Sequence, residues 1–212
     1  MTSRPQTALF KEVNSVKMRI ARRLLPFLCL IIILPPPFVH AAAPDYRQAG
    51  TYKESAFISG IGSGKTHEGD YQPVLLMWHL GMDLKKHFPR LEKHRGSLSF
   101  FIETQFNPSH NPYDNFEFGI SPGFQYRYPF TEKLSGYLLV SAGPHYMSLV
   151  TRDQENGFIF SDAIGGGLYY FLNENFALNL GYRFRHMSNA GIATPNGGIN
   201  TNFITLGYAA FF

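Results

Sequence analysis

Residues 115–128 alternate without a break. Phe116, Phe118, Ile120, Pro122, Phe124, Tyr126 and Tyr128 take the even positions, and Asn115, Glu117, Gly119, Ser121, Gly123, Gln125 and Arg127 the odd ones. Successive side chains of a strand point to opposite faces, so the segment is a strand with one greasy face and one polar or small face. The pattern returns in 176–188, where Phe176, Leu178, Leu180, Tyr182 and Phe184 oppose Ala177, Asn179, Gly181, Arg183 and Arg185. It returns again in 202–212, with Ile204, Leu206, Tyr208, Ala210 and Phe212 against Thr205, Gly207 and Ala209. About eight such segments are expected, near 54–63, 71–83, 97–107, 115–128, 134–147, 158–171, 176–188 and 202–212. Between them, Gly62-Ser-Gly-Lys65, Asn107-Pro-Ser-His-Asn-Pro, Pro129-Phe-Thr-Glu-Lys, Arg152-Asp-Gln-Glu-Asn-Gly and Asn173-Glu-Asn carry turn chemistry.

A soluble sandwich buries its greasy face, whereas a membrane barrel turns that face to lipid. Segments of about 11–14 residues are long enough to cross a bilayer at a tilt. Aromatic side chains gather near segment ends, as in an interfacial girdle. The final Phe212 within a strand resembles the C-terminal signal of bacterial outer-membrane barrels. The expected fold is all-β: an eight-stranded antiparallel transmembrane β-barrel preceded by a cleaved signal peptide. Closure would satisfy every backbone N–H inside lipid. A barrel of about eight strands is filled by its own side chains, so transport is not expected. Glu103, Glu117, Arg127, Arg183 and Arg185 would form a charge-paired interior.

The leader supports export. Arg19, Arg22 and Arg23 precede an apolar run from Leu24 to Leu34, then Pro35 to Pro37 and Val39-His40-Ala41-Ala42-Ala43. That order reads as a signal peptide over 1–41, with Met1 or Met18 as start, and the barrel over 42–212. Six of the 19 Lys and Arg and one of the 15 acids fall within 1–41, leaving 13 basic against 14 acidic groups. The basic balance therefore belongs to the leader and gives no argument for nucleic acid. Cys29, the single cysteine, lies there too, so no disulfide is expected.

His186 and Ser188 stand on the greasy face of 176–188, about 7 Å apart at Cα. A neutral imidazole so placed can take the hydroxyl proton as the serine attacks a carbonyl. The segment His186-Met-Ser-Asn-Ala-Gly-Ile-Ala-Thr-Pro-Asn-Gly-Gly-Ile-Asn200 closely resembles the active-site segment of PagL-type lipid A 3-O-deacylases, outer-membrane barrels of eight strands. That family's pattern, His-x-Ser-Asn-Ala followed by Pro-Asn-x-Gly, is met by His186, Ser188, Asn189, Ala190, Pro195, Asn196 and Gly198. Phe160-Ser-Asp-Ala-Ile-Gly-Gly-Gly-Leu168 also resembles the family's sixth strand. The resemblance implies Ser188 as nucleophile and His186 as base. It further implies Asn196 with loop N–H groups at the oxyanion, and Asn189 as support for the loop. The family's third catalytic residue is a glutamate where this chain has Asn200. An amide can orient a histidine but cannot offset imidazolium charge, which directs attention to Asp162. If Leu172 pairs with Phe176 across a short turn, Asp162 falls opposite His186 on the same outward face. There it could orient or charge-balance His186, or position the lipid head group.

The resemblance implies a serine esterase removing a 3-O-linked acyl chain from lipid A of lipopolysaccharide among the lipids of the bacterial outer membrane, with no cofactor. No histidine spacing suggests a metal site, and Gly64-Lys65-Thr66 lacks the glycine spacing of a phosphate loop. The long segment 84–96, placed on the periplasmic side, reads as a solvated turn. Two alternatives stay open: a non-enzymatic eight-stranded outer-membrane barrel with a structural, adhesion or surface-evasion role, and a soluble carrier with its greasy face inward. The sequence also leaves open whether the barrel stands alone or as a homodimer.

Overall fold

The computed structural model describes residues 53–88 and 94–212. The expected signal peptide and Cys29 lie outside the described residues. The strands are β1 (Lys53–Thr66), β2 (Gly69–Tyr71), β3 (Val74–Asp83), β4 (Ser97–Ser109), β5 (Asn115–Pro129), β6 (Leu134–Met147), β7 (Gly157–Phe171), β8 (Phe176–Ser188) and β9 (Ile199–Phe211). Each antiparallel neighbour follows in chain order, and β1 pairs with β9 to close the ring.

β2 and β3 are two pieces of one barrel strand. Gly64 opposite Tyr71 and Ile61 opposite Val74 keep a single register across the gap. The ladder is interrupted because Pro73 has no N–H to donate, although its carbonyl still accepts from Gly62 N–H at 2.8 Å. The barrel therefore has eight strands around its wall.

The structure departs from expectation at Gly62-Ser-Gly-Lys65, which is strand rather than turn; the chain reverses later, at His67 and Glu68. Gly62 and Gly64 line the crowded side of β1. A Cβ on Gly62 would stand 2.6 Å from the Phe203 ring, and one on Gly64 would stand 2.4 Å from the Asn200 carbonyl. They are glycines because the neighbouring strand leaves no room. The last strand also begins earlier than expected, at Ile199, which puts Asn200 on the wall instead of in the loop.

Side-chain burial follows the alternation. In β5 the residues from Asn115 to Tyr128 are buried and exposed in strict turn. The exposed set is the greasy one, including Phe118, Ile120, Phe124, Leu138, Leu180 and Leu206. A wall of that kind faces hydrocarbon, and ring closure leaves it no open strand edge. Aromatics mark both rims. Phe106, Phe116, Tyr146 and Phe158 lie near one set of strand ends, while Tyr128 with Phe130 and Phe176 stacked on Tyr208 lie near the other.

Inside, a polar layer separates two apolar clusters. The larger cluster includes Phe101, Tyr137, Tyr169, Phe203 and Phe211, and the smaller one Tyr71, Met147, Ile159, Met187 and Ile199. Arg183 donates to both Glu103 oxygens at 2.7 and 2.8 Å, and His79 Nδ1 lies 2.9 Å from Glu103 Oε1. Arg185 forks onto Glu117 at 2.7 and 3.0 Å. Asn107 Nδ2 adds a donor to Glu117 at 2.9 Å, and the Tyr71 hydroxyl adds another. Two charged forks with further hydrogen-bonding groups around their carboxylates are the form in which buried ion pairs are tolerated.

Candidate active site

Even-numbered residues of β8 point outward, and this places His186 and Ser188 on the lipid-facing wall. They stand at the end of β8 remote from the start of β1 and the end of β9, since Glu54 pairs with Phe211 at the opposite end of the barrel. Phe158 and Phe160 occupy the same rim in an edge-to-face pair 5.0 Å apart, and Phe160 lies directly opposite Ser188. Lipid ester groups lie at this interfacial level, where aromatic girdles sit.

His186 is flanked on both sides within the sheet. Asp162 of β7 is opposite it on one side and Asn200 of β9 on the other. The expected turn pairing of Leu172 with Phe176 is present, Leu172 N–H donating to the Phe176 carbonyl at 2.8 Å. The imidazole takes its partner from β9, where Nδ1 lies 2.7 Å from Asn200 Oδ1. An amide oxygen can only accept, so Nδ1 carries the hydrogen, and in the neutral form of the ring the lone pair falls to Nε2. That is the tautomer a general base needs. Asp162 is exposed and makes no hydrogen bond to His186 among the described residues.

Gly198 completes the seat of the ring. Met187 pairs with Ile199, so Gly198 stands beside Ser188 at the end of the ladder. Its φ of +76° suits glycine, and a Cβ there would lie 2.5 Å from His186 Cε1 and 3.1 Å from Nε2. Gly198→Ala is therefore expected to push the imidazole away from Ser188, and a reaction run by this pair would lose at least about tenfold in kcat. Turnover of the purified variant, normalised to its folded fraction, checks this; unchanged kcat would show that the ring does not need this seat.

No hydrogen bond joins Ser188 Oγ to His186 among the described residues. Both are half-buried on one face, and a single χ1 step of the serine carries Oγ between its staggered positions.

The loop over 189–198 is held by its asparagines. Asn189 N–H donates to Asn196 Oδ1 at 2.8 Å, Asn189 Nδ2 donates to the Pro195 carbonyl at 3.2 Å, and Asn189 Oδ1 accepts Gly191 N–H at 3.0 Å. Asn196 thus spends its side-chain oxygen inside the loop, which leaves Nδ2 as the donor it can aim outward. The structure brings His186, Ser188, Asn200 and Asp162 onto one patch of wall, with Asn189 and Asn196 in the loop beside it. The sequence pattern contains Gly198 but gives it no role. Its positive φ and its packing on the imidazole appear only in three dimensions.

A family model described as lipid A 3-O-deacylase (PagL) matches residues 73–209. Among solved structures, Neisserial surface protein A is similar with a TM-score of 0.57 and 13% identity, covering 76% of this chain and 97% of that one. The outer membrane enzyme PagL is similar with a TM-score of 0.53 and 20% identity, covering 71% of this chain and 97% of that one. At these identities the structural likeness speaks for the fold, an outer-membrane barrel. No curated protein matches the chain by sequence.

Proposed function

The chain belongs to the lipid A 3-O-deacylase (PagL) family and acts as a lipid A hydrolase of the bacterial outer membrane, and from that premise we propose a serine esterase mechanism with Ser188 as nucleophile and His186 as base. The observation that carries the reading is the Nδ1 bond from His186 to Asn200 at 2.7 Å, which leaves Nε2 free on the face shared with Ser188.

The end of the barrel remote from the start of β1 and the end of β9 is read as extracellular, so the patch meets lipopolysaccharide from the side. The acyl tail lies along Phe184, Ile164 and Ile204, which are exposed on the same wall. Ser188 Oγ attacks the ester carbonyl while His186 Nε2 takes its proton. The tetrahedral oxyanion is met by Asn196 Nδ2 and loop N–H groups, a donor being worth about 3–4 kcal/mol of barrier. Collapse breaks the bond to the sugar oxygen, which receives the proton from His186. Water activated by the same imidazole then frees the fatty acid and restores Ser188. The site is complete within one chain, so a homodimer is not needed.

Asn200 and Asp162 divide the work that one carboxylate does in a Ser-His-Glu triad. Asn200 fixes the tautomer and orientation, and Asp162, opposite His186 on β7, supplies negative charge beside the developing imidazolium. Asn200→Ala is expected to lower kcat by about 10²-fold, within the range of general base catalysis. Asp162→Ala is expected to lower it by about five- to tenfold, since an exposed charge is worth only about 1 kcal/mol. Mass spectrometry of lipid A from cells making the wild type, Ser188→Ala, Asn200→Ala or Asp162→Ala tests the assignment. Loss of a hydroxyacyl mass with wild type but not with Ser188→Ala is the expected result. Unchanged lipid A in every case would favour a non-enzymatic barrel, and wild-type turnover in Asp162→Ala would remove its role.

A further inference from the structure

Three hairpin ends meet at the end of the barrel that carries the site: the β1–β2 reversal at His67 and Glu68, the loop over 148–156, and the loop over 189–198. The first two grip each other reciprocally. Asp153 Oδ2 accepts His67 N–H at 2.7 Å, and Asp153 Oδ1 lies 2.6 Å from His67 Nδ1. In return, Glu68 Oε1 accepts Arg152 N–H at 2.9 Å. Each segment thus offers a carboxylate to the backbone of the other, giving short charge-assisted bonds in both directions.

The second loop in turn holds the third. The Asp153 carbonyl accepts Gly197 N–H at 2.6 Å, and Glu155 N–H donates to the Pro195 carbonyl at 3.1 Å. Gln154 and Asn196 form a bridge between the same two loops. Gly197 precedes Gly198, which seats the imidazole, while Asn196 holds the N–H next to Ser188. Two covalent or hydrogen-bonded steps therefore separate the Asp153 backbone from the residue under His186. The loop over 189–198 is poorly suited to hold this shape alone, because Ala190 is held at a φ of +52° and Gly191, Gly197 and Gly198 have no side chain to restrict their backbone.

We propose that the clasp of His67 and Glu68 with Asp153 and Arg152 is a positioning device for catalysis, fixing the height of Gly197 and Gly198 and so the approach of His186 to Ser188. It lies outside the strand ladder. His67 is 64% exposed and Asp153 20% exposed at the side chain, so the clasp can be cut without removing a wall contact. The inference rests on Ser188 and His186 being the catalytic pair.

The test measures kcat and KM for release of the hydroxyacyl chain from lipid A in detergent micelles. The proteins are the wild type, Asp153→Ala, Asp153→Asn, Glu68→Ala, the Asp153→Ala/Glu68→Ala double variant, His67→Ala and Ser188→Ala. Asp153→Ala is expected to lower kcat by about 10- to 100-fold with KM within about twofold, because a small displacement of a catalytic group is costly. Asp153→Asn keeps an accepting oxygen and should recover most of that loss. The double variant should be no worse than the more damaging single one, since both cut one clasp. Wild-type kcat in Asp153→Ala, or losses that multiply as independent sites do, would overturn the proposal. If the Asp153 variants do not fold, His67→Ala decides, with a drop of about threefold expected and an unchanged kcat refuting the clasp. Activity in Ser188→Ala would instead sink the catalytic reading on which the clasp rests.

Discussion

Ser188→Ala is expected to lower lipid A turnover by about 10⁴-fold or more under the proposed mechanism, because the members of a Ser-His unit act together and removing the nucleophile removes the covalent route. What remains is the contribution of binding and of the oxyanion donors. His186→Ala should lose nearly as much, and the double variant should be hardly worse than either, which is the signature of one machine rather than two additive contacts. The barrel should be unaffected, since Ser188 is the last residue of β8 and its side chain lies on the outer face. The measurement is single-turnover release of the hydroxyacyl chain together with the mass of lipid A from producing cells. A Ser188→Ala protein that still strips the chain within tenfold of wild type would exclude Ser188 as nucleophile.

Glu117→Ala is expected to cost about 3–5 kcal/mol of barrel stability, the usual penalty for leaving a buried charge without its counter-ion. Glu117 is 0% exposed and receives both arms of Arg185, the Asn107 amide and the Tyr71 hydroxyl. The guanidinium also lies 4.7 Å above the centre of the Phe203 ring, but a ring face replaces only part of a carboxylate. Water has little access to so packed a layer, so the orphaned charge remains uncompensated. Glu117→Gln keeps the shape and an accepting oxygen and should lose less. Equilibrium unfolding of the refolded barrel in urea reads the difference. A Glu117→Ala midpoint equivalent to less than about 0.5 kcal/mol of loss would show that the ion pair contributes little.

Much of this molecule is legible in the chain because lipid enforces a simple rule. Strict alternation in 115–128 and 176–188 can be satisfied only by a two-faced strand, and the structure places those strands at Asn115–Pro129 and Phe176–Ser188. Counting back from a short turn at Asn173 was enough to set Asp162 opposite His186. Glycine was the weaker guide. In Gly62-Ser-Gly-Lys65 it reads as a signal for chain reversal, whereas Gly62 and Gly64 answer to crowding by Phe203 and by the Asn200 carbonyl, which no local pattern reveals. The clasp lies further out of reach. His67 and Asp153 are 86 positions apart, and their meeting depends on which hairpin ends the closed ring brings together. Asn200 stands between these cases, since the motif marks its position but only the early start of β9 puts it on the wall beside the imidazole.

The outward placement of His186 and Ser188 has a kinetic consequence. The proposed nucleophile, mounted on the flank of a membrane cylinder, collides with molecules that diffuse in a sheet two molecules thick. Its rate should then follow the mole fraction of substrate in the surrounding leaflet or micelle. Adding inert amphiphile at constant total lipid A would slow it as surely as removing substrate, while diluting the whole suspension with buffer would leave each enzyme as busy as before.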